Sequence, residues 1–217
     1  TLDMYNKHGW YFPDYDTHFA EMLDKNIAKG NLPVYQQPVR KRSFTYLKNN
    51  NFAIDVGANV GLWTKDMSEE FTFVWAIEPV EDFRQCLQKN IFNNNVDIKP
   101  FALGAENTVI DMIITEENTG HSHVDIDSLG KGTIPMHRLD DLNIPPLDYI
   151  KIDCEGYELN VLKGAEQTIK KHKPIIVIEQ KFHKDVGHVD DGEAVTLLRS
   201  FGARQLDKVR NDLIFGW

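Results

Sequence analysis

The stretch Ala53–Thr64, with the sequence AIDVGANVGLWT, joins an apolar run to a run with helical spacing, and it decides the fold. The apolar run reaches Asp55, and the turn that follows carries Gly57 and Gly61 four residues apart. Glycine allows both a tight turn and the close approach of a ligand to the backbone. A strand that passes through such a turn into a helix brings backbone N–H groups to the carboxyl end of a sheet. We therefore expect a small polar ligand at this turn.

Outward from this stretch, short apolar runs alternate with segments of helical spacing from residue 51 onward. This alternation predicts an α/β fold in which helices cover both faces of a mostly parallel sheet. The last two apolar runs are separated only by KVRN, which is too short for a crossover helix, so an antiparallel edge strand is expected. The expected strands are 52–56, 71–78, 96–101, 109–115, 147–153, 174–179, 203–207 and 212–217. One helix is expected to begin near residue 62, and three more are expected at 80–91, 159–169 and 194–201.

The first fifty residues differ in composition from the rest of the chain. They contain the aromatic stretch HGWYFPDYDTHF, a helical pattern near 17–28, and a basic VRKR run before a second expected helix. We interpret residues 1–50 as an N-terminal helical cap on a domain formed by residues 51–217. A further hypothesis is that residues 10–15 of this cap shield the ligand from water.

Charge and composition exclude several classes of partner. The chain has 24 basic and 33 acidic residues, and this excess of negative charge repels a phosphate backbone, so nucleic acid is not expected. Cys86 and Cys154 both fall in predicted regular structure, which favours free thiols and a cytoplasmic location. No apolar run has the length of a membrane span, so a membrane partner is not expected either. The sequence leaves the oligomeric state open.

Glu78 ends the next expected strand, where a carboxylate can accept two hydrogen bonds from a ribose diol. Together with the glycine turn it predicts a nucleoside cofactor. A dinucleotide fingerprint needs the spacing G-x-G-x-x-G, whereas the chain reads GANVGL from Gly57, which argues against an NAD(P)-dependent oxidoreductase. An acid two residues before the first glycine and a second glycine four residues after it suit a ligand with an amino acid end and no pyrophosphate. S-adenosylmethionine is such a ligand.

Five motifs of the chain resemble those of FkbM-type methyltransferases. They are DVGANVG (55–61), IEPVEDF (77–83), LDDL (139–142), KIDCEGYELNVLKGA (151–165) and PIIVIE (174–179). The resemblance covers about residues 52–180, and its most specific part is the long run from Lys151. It implies a Rossmann-like class I methyltransferase fold and, for the family, mostly O-methylation of sugars, polyketides or other small metabolites.

The resemblance also implies roles for individual residues. Asp153, at the tip of an expected strand, would lie near the sulfonium and the acceptor, so it is the first candidate for a general base and Glu155 the second. His121 or His123 are further candidates if their loop closes over the site. The implied cofactor-binding residues are Asp55, Gly57, Asn59 and Gly61 at the methionine end, Glu78 at the ribose, and Phe101 and Ala102 at the adenine.

Three charged residues near this site also have structural explanations. Lys151 lies inside a strand that should be covered on both faces, so it needs a carboxylate partner, and Glu179 on the neighbouring strand is expected in that role. Glu158 is expected to cap free N–H groups at the start of a helix. For Glu155, capping and an active-site role are equally supported.

Two groups of histidine and aspartate residues have the residue types of a metal site, but neither has the spacing that zinc requires. Solvated loops are expected at both, and no metal. The groups are His121, His123, Asp125 and Asp127, and His183, His188, Asp190 and Asp191.

The sequence thus predicts a methyltransferase that moves a methyl group from S-adenosylmethionine to a hydroxyl oxygen of a small molecule or saccharide. Such a displacement depends mainly on holding donor and acceptor at close distance, so it does not require a metal. The main alternative is a non-catalytic S-adenosylmethionine-binding module that serves as a partner or sensor.

Overall fold

The elements below come from a computed structural model, which describes residues 2–179 and 192–217. The strands are β1 (Met4–Lys7), β2 (Trp10–Pro13), β3 (Phe52–Val56), β4 (Phe73–Ile77), β5 (Val96–Lys99), β6 (Ala102–Leu103), β7 (Thr108–Ile113), β8 (His123–Asp125), β9 (Ile134–His137), β10 (Tyr149–Ile152), β11 (Ile175–Glu179), β12 (Arg204–Val209) and β13 (Asp212–Gly216). The helices are α1 (His18–Ala28), α2 (Gln37–Phe44), α3 (Thr64–Glu70), α4 (Glu81–Asn90), α5 (Glu158–Lys163), α6 (Glu166–His172) and α7 (Glu193–Ser200).

A seven-stranded mixed sheet forms the centre of the protein, in the order β12–β13–β11–β10–β3–β4–β5. Strands β11, β10, β3, β4 and β5 run parallel, whereas β13 pairs antiparallel with both β11 and β12. In the register of the central strands, Ile150 lies opposite Ile54 and Ile176, and all three side chains are fully buried. The prediction of a mostly parallel sheet with an antiparallel edge is confirmed.

Side chains of the central strands alternate between two apolar layers, one on each face of the sheet. Ile54 of β3 belongs to a cluster that includes Ile169 of α6 and Leu198 of α7. Ala53, its neighbour in the chain, belongs to a different cluster, with Met67 of α3. Helices therefore cover both faces, as predicted, and this explains why the central strands read as continuous apolar runs.

A second, four-stranded sheet has the order β6–β9–β7–β8. Strand β7 matches the strand expected at 109–115, but the stretch 116–132, for which no strand or helix was expected, contains β8 and two 3-10 turns. Val124 is the buried residue of β8, and its neighbours are half-buried. A three-residue strand with one buried side chain is too short to show a period-2 pattern, so the sequence did not reveal it.

The helix expected at 159–169 is divided into α5 and α6. Gly164 lies at the break, where a Cβ would overlap the carbonyl oxygen of Gly104. Glycine is required here because the backbone of the β6 region packs directly on this turn.

The N-terminal segment contains a hairpin as well as two helices, which corrects the expectation of a purely helical cap. Strands β1 and β2 pair antiparallel, and His8 and Gly9 between them both have positive φ, as in a tight hairpin turn. The hairpin is attached to α4 through Asn90, whose amide donates to the Tyr11 carbonyl at 2.9 Å and accepts the Tyr11 N–H at 2.7 Å. The division of the chain at residues 50 and 51 stays a prediction.

Cys86 and Cys154 are both free thiols. Among the residues described, no helix has the combination of length and apolar character that crossing a bilayer requires.

Candidate functional site

A cleft of about 1000 Å³, a volume that includes its open mouth, lies at the carboxyl ends of β3, β4 and β10. The strand order reverses between β3 and β10, because the chain passes from β3 to β4 on one side and reaches β10 on the other side only later. Ligands of open α/β sheets bind in the crevice at such a point. The position of the cleft agrees with the ligand site expected at the turn after β3.

The turn after β3 lies directly against the tip of β10. Gly57 has a φ of 79°, and a Cβ at this position would overlap the carbonyl oxygen of Asp153, so only glycine fits. The N–H groups of Gly57 and Ala58 donate to the Ile77 carbonyl at 3.0 and 3.1 Å. The expectation that the N–H groups of this turn point at a ligand is therefore wrong for these two, which instead join the turn to β4.

Glu78 lies in the wall of the cleft just after β4 and is 4% exposed. Its Oε2 accepts the N–H of Asn59 and its Oε1 accepts the N–H of Val80, both at 2.8 Å. Burial raises the pKa of Glu78 to about 7, while these two N–H groups and the Arg84 guanidinium act in the opposite direction. Each carboxylate oxygen keeps a further lone pair, so Glu78 can still accept hydrogen bonds from a ribose diol.

The structure brings most of the predicted site residues together in this wall but leaves three outside it. Asp55 is fully buried below the cleft. Gly61 allows α4 to approach, since a Cβ there would lie 2.5 Å from the Leu87 side chain. Phe101 packs edge-on against His137, with ring centroids 4.9 Å apart. The predicted residues that line the cleft are Gly57, Asn59, Glu78, Ala102, Asp153 and Glu155.

Lys151 reaches the cleft from inside β10, with a side chain 7% exposed. Its Nζ lies 3.5 Å from Asp153 Oδ2 and 3.7 Å from Asp55 Oδ1. Burial opposes the positive charge, but Asp153 and Asp55 outweigh it and hold the pKa of Lys151 above its usual value. Asp153 and Asp55 thus act on Lys151 more strongly than the expected partner Glu179, whose carboxylate makes a smaller favourable contribution.

The two glutamates after β10 have different roles. Glu158 accepts the N–H of Cys154 at 2.9 Å and the N–H of Gly156 at 3.0 Å, so it closes the turn as a capping residue, as expected. Glu155 instead lies in the wall of the cleft, 6% exposed, with a left-handed φ of 47°. Glu155 is therefore placed where it can meet a ligand of the cleft, and the choice between an active-site role and capping stays a prediction.

The N-terminal segment supplies part of the wall, which the sequence interpretation missed. His18 and Phe19 of α1 and Tyr35 after it all line the cleft. None of residues 10–15 lines the cleft, which argues against the hypothesis that this aromatic stretch shields the ligand. No local pattern distinguishes the three lining residues from packing residues of an amphipathic helix and its loop.

Tyr35 is held rigidly at the cleft. Its carbonyl oxygen accepts a hydrogen bond from Arg40 Nη1 at 2.5 Å, and its ring packs edge-on against Phe19 at 5.2 Å. Burial and then the nearby Asp153 and Glu179 carboxylates raise the pKa of Tyr35, so its phenol stays protonated and is able to donate a hydrogen bond.

The loop after β7 closes one side of the cleft through residues 118–122. His121 lies in this wall, and its ring faces that of His18 with centroids 6.4 Å apart. His123 does not line the cleft, so of the two histidines that were further candidates for a base, His121 is the one in position.

One group of three carboxylates in the described part of the chain has the spacing of potential metal ligands. Oxygens of Asp153, Glu155 and Glu179 lie within 4.8 Å of one another. The stretch with His121 and His123 forms no such group within residues 2–179 and 192–217. The second histidine group expected from the sequence, at 183–191, lies outside the described residues.

Comparison with known proteins identifies methyltransferases as similar in sequence and in structure. The family model of the methyltransferase FkbM domain matches residues 55–204. No curated protein matches the chain in sequence. A crystal structure of methyltransferase FkbM from Methylobacillus flagellatus KT aligns with 80% of this chain and 45% of its own, at 21% identity and a TM-score of 0.52. The N-methyltransferase NodS from Bradyrhizobium japonicum WM9 aligns with 83% of this chain and 93% of its own, at 8% identity and a TM-score of 0.52.

These likenesses confirm the α/β fold of class I methyltransferases. The chain spans less than half the length of the FkbM structure that it matches.

Proposed function

The chain belongs to the FkbM methyltransferase domain family, and from that premise we propose that it transfers a methyl group from S-adenosylmethionine to a hydroxyl oxygen of a small molecule or saccharide. S-adenosylmethionine is the methyl donor of this family, as the sequence predicted. The alternative of an NAD(P)-dependent oxidoreductase is set aside by the same assignment.

The observation that carries the proposal is the position of two carboxylates. Glu78 and Asp153 follow the two strands that flank β3, and both line the same cleft. Glu78 accepts the ribose hydroxyls of the cofactor, and apolar side chains beside it, including Phe83 and Leu103, offer surface to the adenine. Asp153 provides negative charge where a positive sulfonium is held.

When bound in this cleft, S-adenosylmethionine would supply an electrophilic methyl group for the acceptor oxygen, and its sulfur would keep the electron pair of the broken bond. The protein has to hold the acceptor in line and accept its hydroxyl proton. Asp153 is the first candidate for the proton acceptor, because it lines the cleft and is only 18% exposed in its side chain. Glu155 is the second candidate.

We place the acceptor beside three side chains of the cleft that can form hydrogen bonds. His18, His121 and Tyr35 line the cleft from the N-terminal segment and the loop after β7. Imidazole nitrogens and a protonated phenol suit an acceptor that carries several hydroxyl groups, because each can donate or accept a hydrogen bond. This supports a polyhydroxylated small molecule or saccharide.

A screen with methyl-labelled S-adenosylmethionine and a panel of sugars and hydroxylated metabolites tests the proposal. We expect label in one product, with a mass increase of one methyl group and with the methyl on oxygen. Methyl transfer to nitrogen or carbon would contradict the hydroxyl acceptor. Tight binding of the cofactor without transfer to any member of a broad panel would instead support a non-catalytic binding module.

A further inference from the structure

A row of hydrogen bonds leads from the N-terminal segment to Glu78 in the cofactor cleft. The Thr119 hydroxyl donates to the Asp16 carboxylate. The Asn59 amide donates to the Thr119 carbonyl at 3.2 Å, and the Asn59 N–H donates to Glu78 Oε2 at 2.8 Å. Asp16, Thr119 and Glu78 are 0%, 1% and 4% exposed, so water does not compete with most of these contacts.

Asn59 needs this support because of its backbone conformation. Its φ is 51°, in the left-handed region of the backbone that residues other than glycine rarely adopt. Asparagine tolerates this region better than most residues, but such a conformation persists only when surrounding contacts hold it. The contact to Thr119 fixes the Asn59 side chain, while the contact to Glu78 fixes its N–H.

Thr119 is itself held from both sides by the N-terminal segment. The N–H groups of Thr17 and His18 donate to the Glu117 carbonyl at 3.1 and 2.9 Å, two residues before Thr119. One residue after it, a Cβ on Gly120 would lie 3.0 Å from the Phe19 ring, so the two segments pack without a gap. Thr119 therefore has little freedom to move away from Asn59.

We infer that Thr119, held by Asp16, is a positioning residue for the cofactor site, which makes residues 15–19 of the N-terminal segment a working part of that site. Thr119 acts through Asn59, whose N–H orients the Glu78 carboxylate toward the ribose. The segment lies outside the matched family region, residues 55–204. The inference rests on the proposed function only in taking S-adenosylmethionine and its demethylated product as ligands of the cleft.

The test uses S-adenosylhomocysteine as the probe and calorimetry as the measurement. Thr119→Val keeps the shape of the side chain but removes its hydroxyl, and it is expected to weaken binding about three- to tenfold, the scale of one lost hydrogen bond. Thr119→Ser restores the hydroxyl and should bind like the wild type. Thr115→Val is the matched control, because it removes a hydroxyl of the same loop, which donates to the His121 carbonyl outside this row.

The pH dependence of binding separates positioning from general destabilisation. Binding should weaken as pH falls through about 7, where Glu78 takes up a proton. The groups that act on Glu78 are Arg84 of α4, Asp55 of β3 and the N–H groups of Val80 and Asn59. A weaker Asn59 contact in Thr119→Val moves this midpoint upward, since the N–H favours the ionised carboxylate. A merely less stable protein would keep the wild-type midpoint.

Two results would overturn the inference. One is that Thr119→Val binds S-adenosylhomocysteine with the wild-type affinity and the wild-type pH midpoint. The other is that Thr115→Val loses as much affinity as Thr119→Val. If Thr119→Val does not fold, Asp16→Asn takes its place, since an amide offers one acceptor oxygen where the carboxylate accepts from both Thr119 and Phe19. Failure of the wild type to bind S-adenosylhomocysteine would instead remove the proposed function, and the inference with it.

Discussion

Gly57 and Asp153 meet through backbone alone: a Cβ on Gly57 would overlap the Asp153 carbonyl oxygen, so the turn after β3 and the tip of β10 fit together only with glycine. Gly57→Ala should therefore destabilise the protein by about 2–5 kcal/mol, the sum of roughly 1–2 kcal/mol for a non-glycine residue in the left-handed region and roughly 1–3 kcal/mol for overpacking. Urea unfolding measures this loss. Gly9→Ala is the control, because Gly9 also has positive φ but has open space around it, so it should lose only the conformational part. Equal losses would show that the close contact costs nothing.

Replacement of Glu78 should weaken cofactor binding. Glu78→Ala removes the proposed acceptor of the ribose hydroxyls, and we expect a loss of roughly 1.5–3 kcal/mol for S-adenosylhomocysteine in calorimetry, the scale of a hydrogen bond to a charged group. Glu81→Ala, three residues away on the exposed start of α4, should leave affinity unchanged. NADH should not raise the melting temperature of the wild type, whereas S-adenosylhomocysteine should. Unchanged affinity in Glu78→Ala would show that Glu78 does not bind the ribose.

The unliganded protein should lose stability as pH rises from about 4.5 to 7. Burial raises the pKa of both Glu78 and Glu158 from the usual glutamate value of 4.5 to about 7. Between these values the folded state holds more protons than the unfolded state, so the free energy of unfolding falls as pH rises. Glu78→Gln and Glu158→Gln should each flatten this slope in denaturant titrations at several pH values. Slopes that match the wild type would show that neither carboxyl is protonated in the folded protein.

Replacement of Asp153 should affect methyl transfer more than cofactor binding. Asp153→Asn removes the proposed proton acceptor, which contributes roughly 10²- to 10⁴-fold in comparable reactions. Single-turnover transfer to an acceptor found in the screen should fall at least about tenfold more than the affinity for S-adenosylmethionine. Glu155→Gln provides the comparison, because it removes the second candidate from the same wall. If Asp153→Asn keeps methyl transfer and Glu155→Gln loses it, Glu155 rather than Asp153 is the proton acceptor.

Removal of divalent cations should change neither affinity nor transfer. Lys151 Nζ already lies 3.5 Å from Asp153 and supplies the positive charge that a metal would bring to this carboxylate. Dialysis against a chelator, followed by the same two assays, tests this expectation. Activity lost with the chelator and restored by one metal would assign a cation to Asp153, Glu155 and Glu179.

Local patterns in the sequence were enough to predict most of the central sheet. The alternation of apolar and helical segments predicted β3 at 52–56 with the observed bounds, and the short KVRN connection predicted the antiparallel pair β12 and β13. Each of these signals is local, because it is contained in a short continuous stretch of the chain. The glycine turn and Glu78 likewise placed the cleft, because the carboxyl ends of parallel strands meet at one edge.

Tertiary structure alone decided which residues complete the site. Lys151 pairs with Asp55 and Asp153 rather than the expected Glu179, because the choice depends on side-chain distances across neighbouring strands. His18 and Tyr35 reach the wall through packing of the N-terminal segment on a domain that follows it in the chain. Asp16 and Thr119 are 103 residues apart, and only the folded chain brings them into contact. Periodicity indicates which face of a helix or strand is buried, but it does not indicate which distant residues that face will contact.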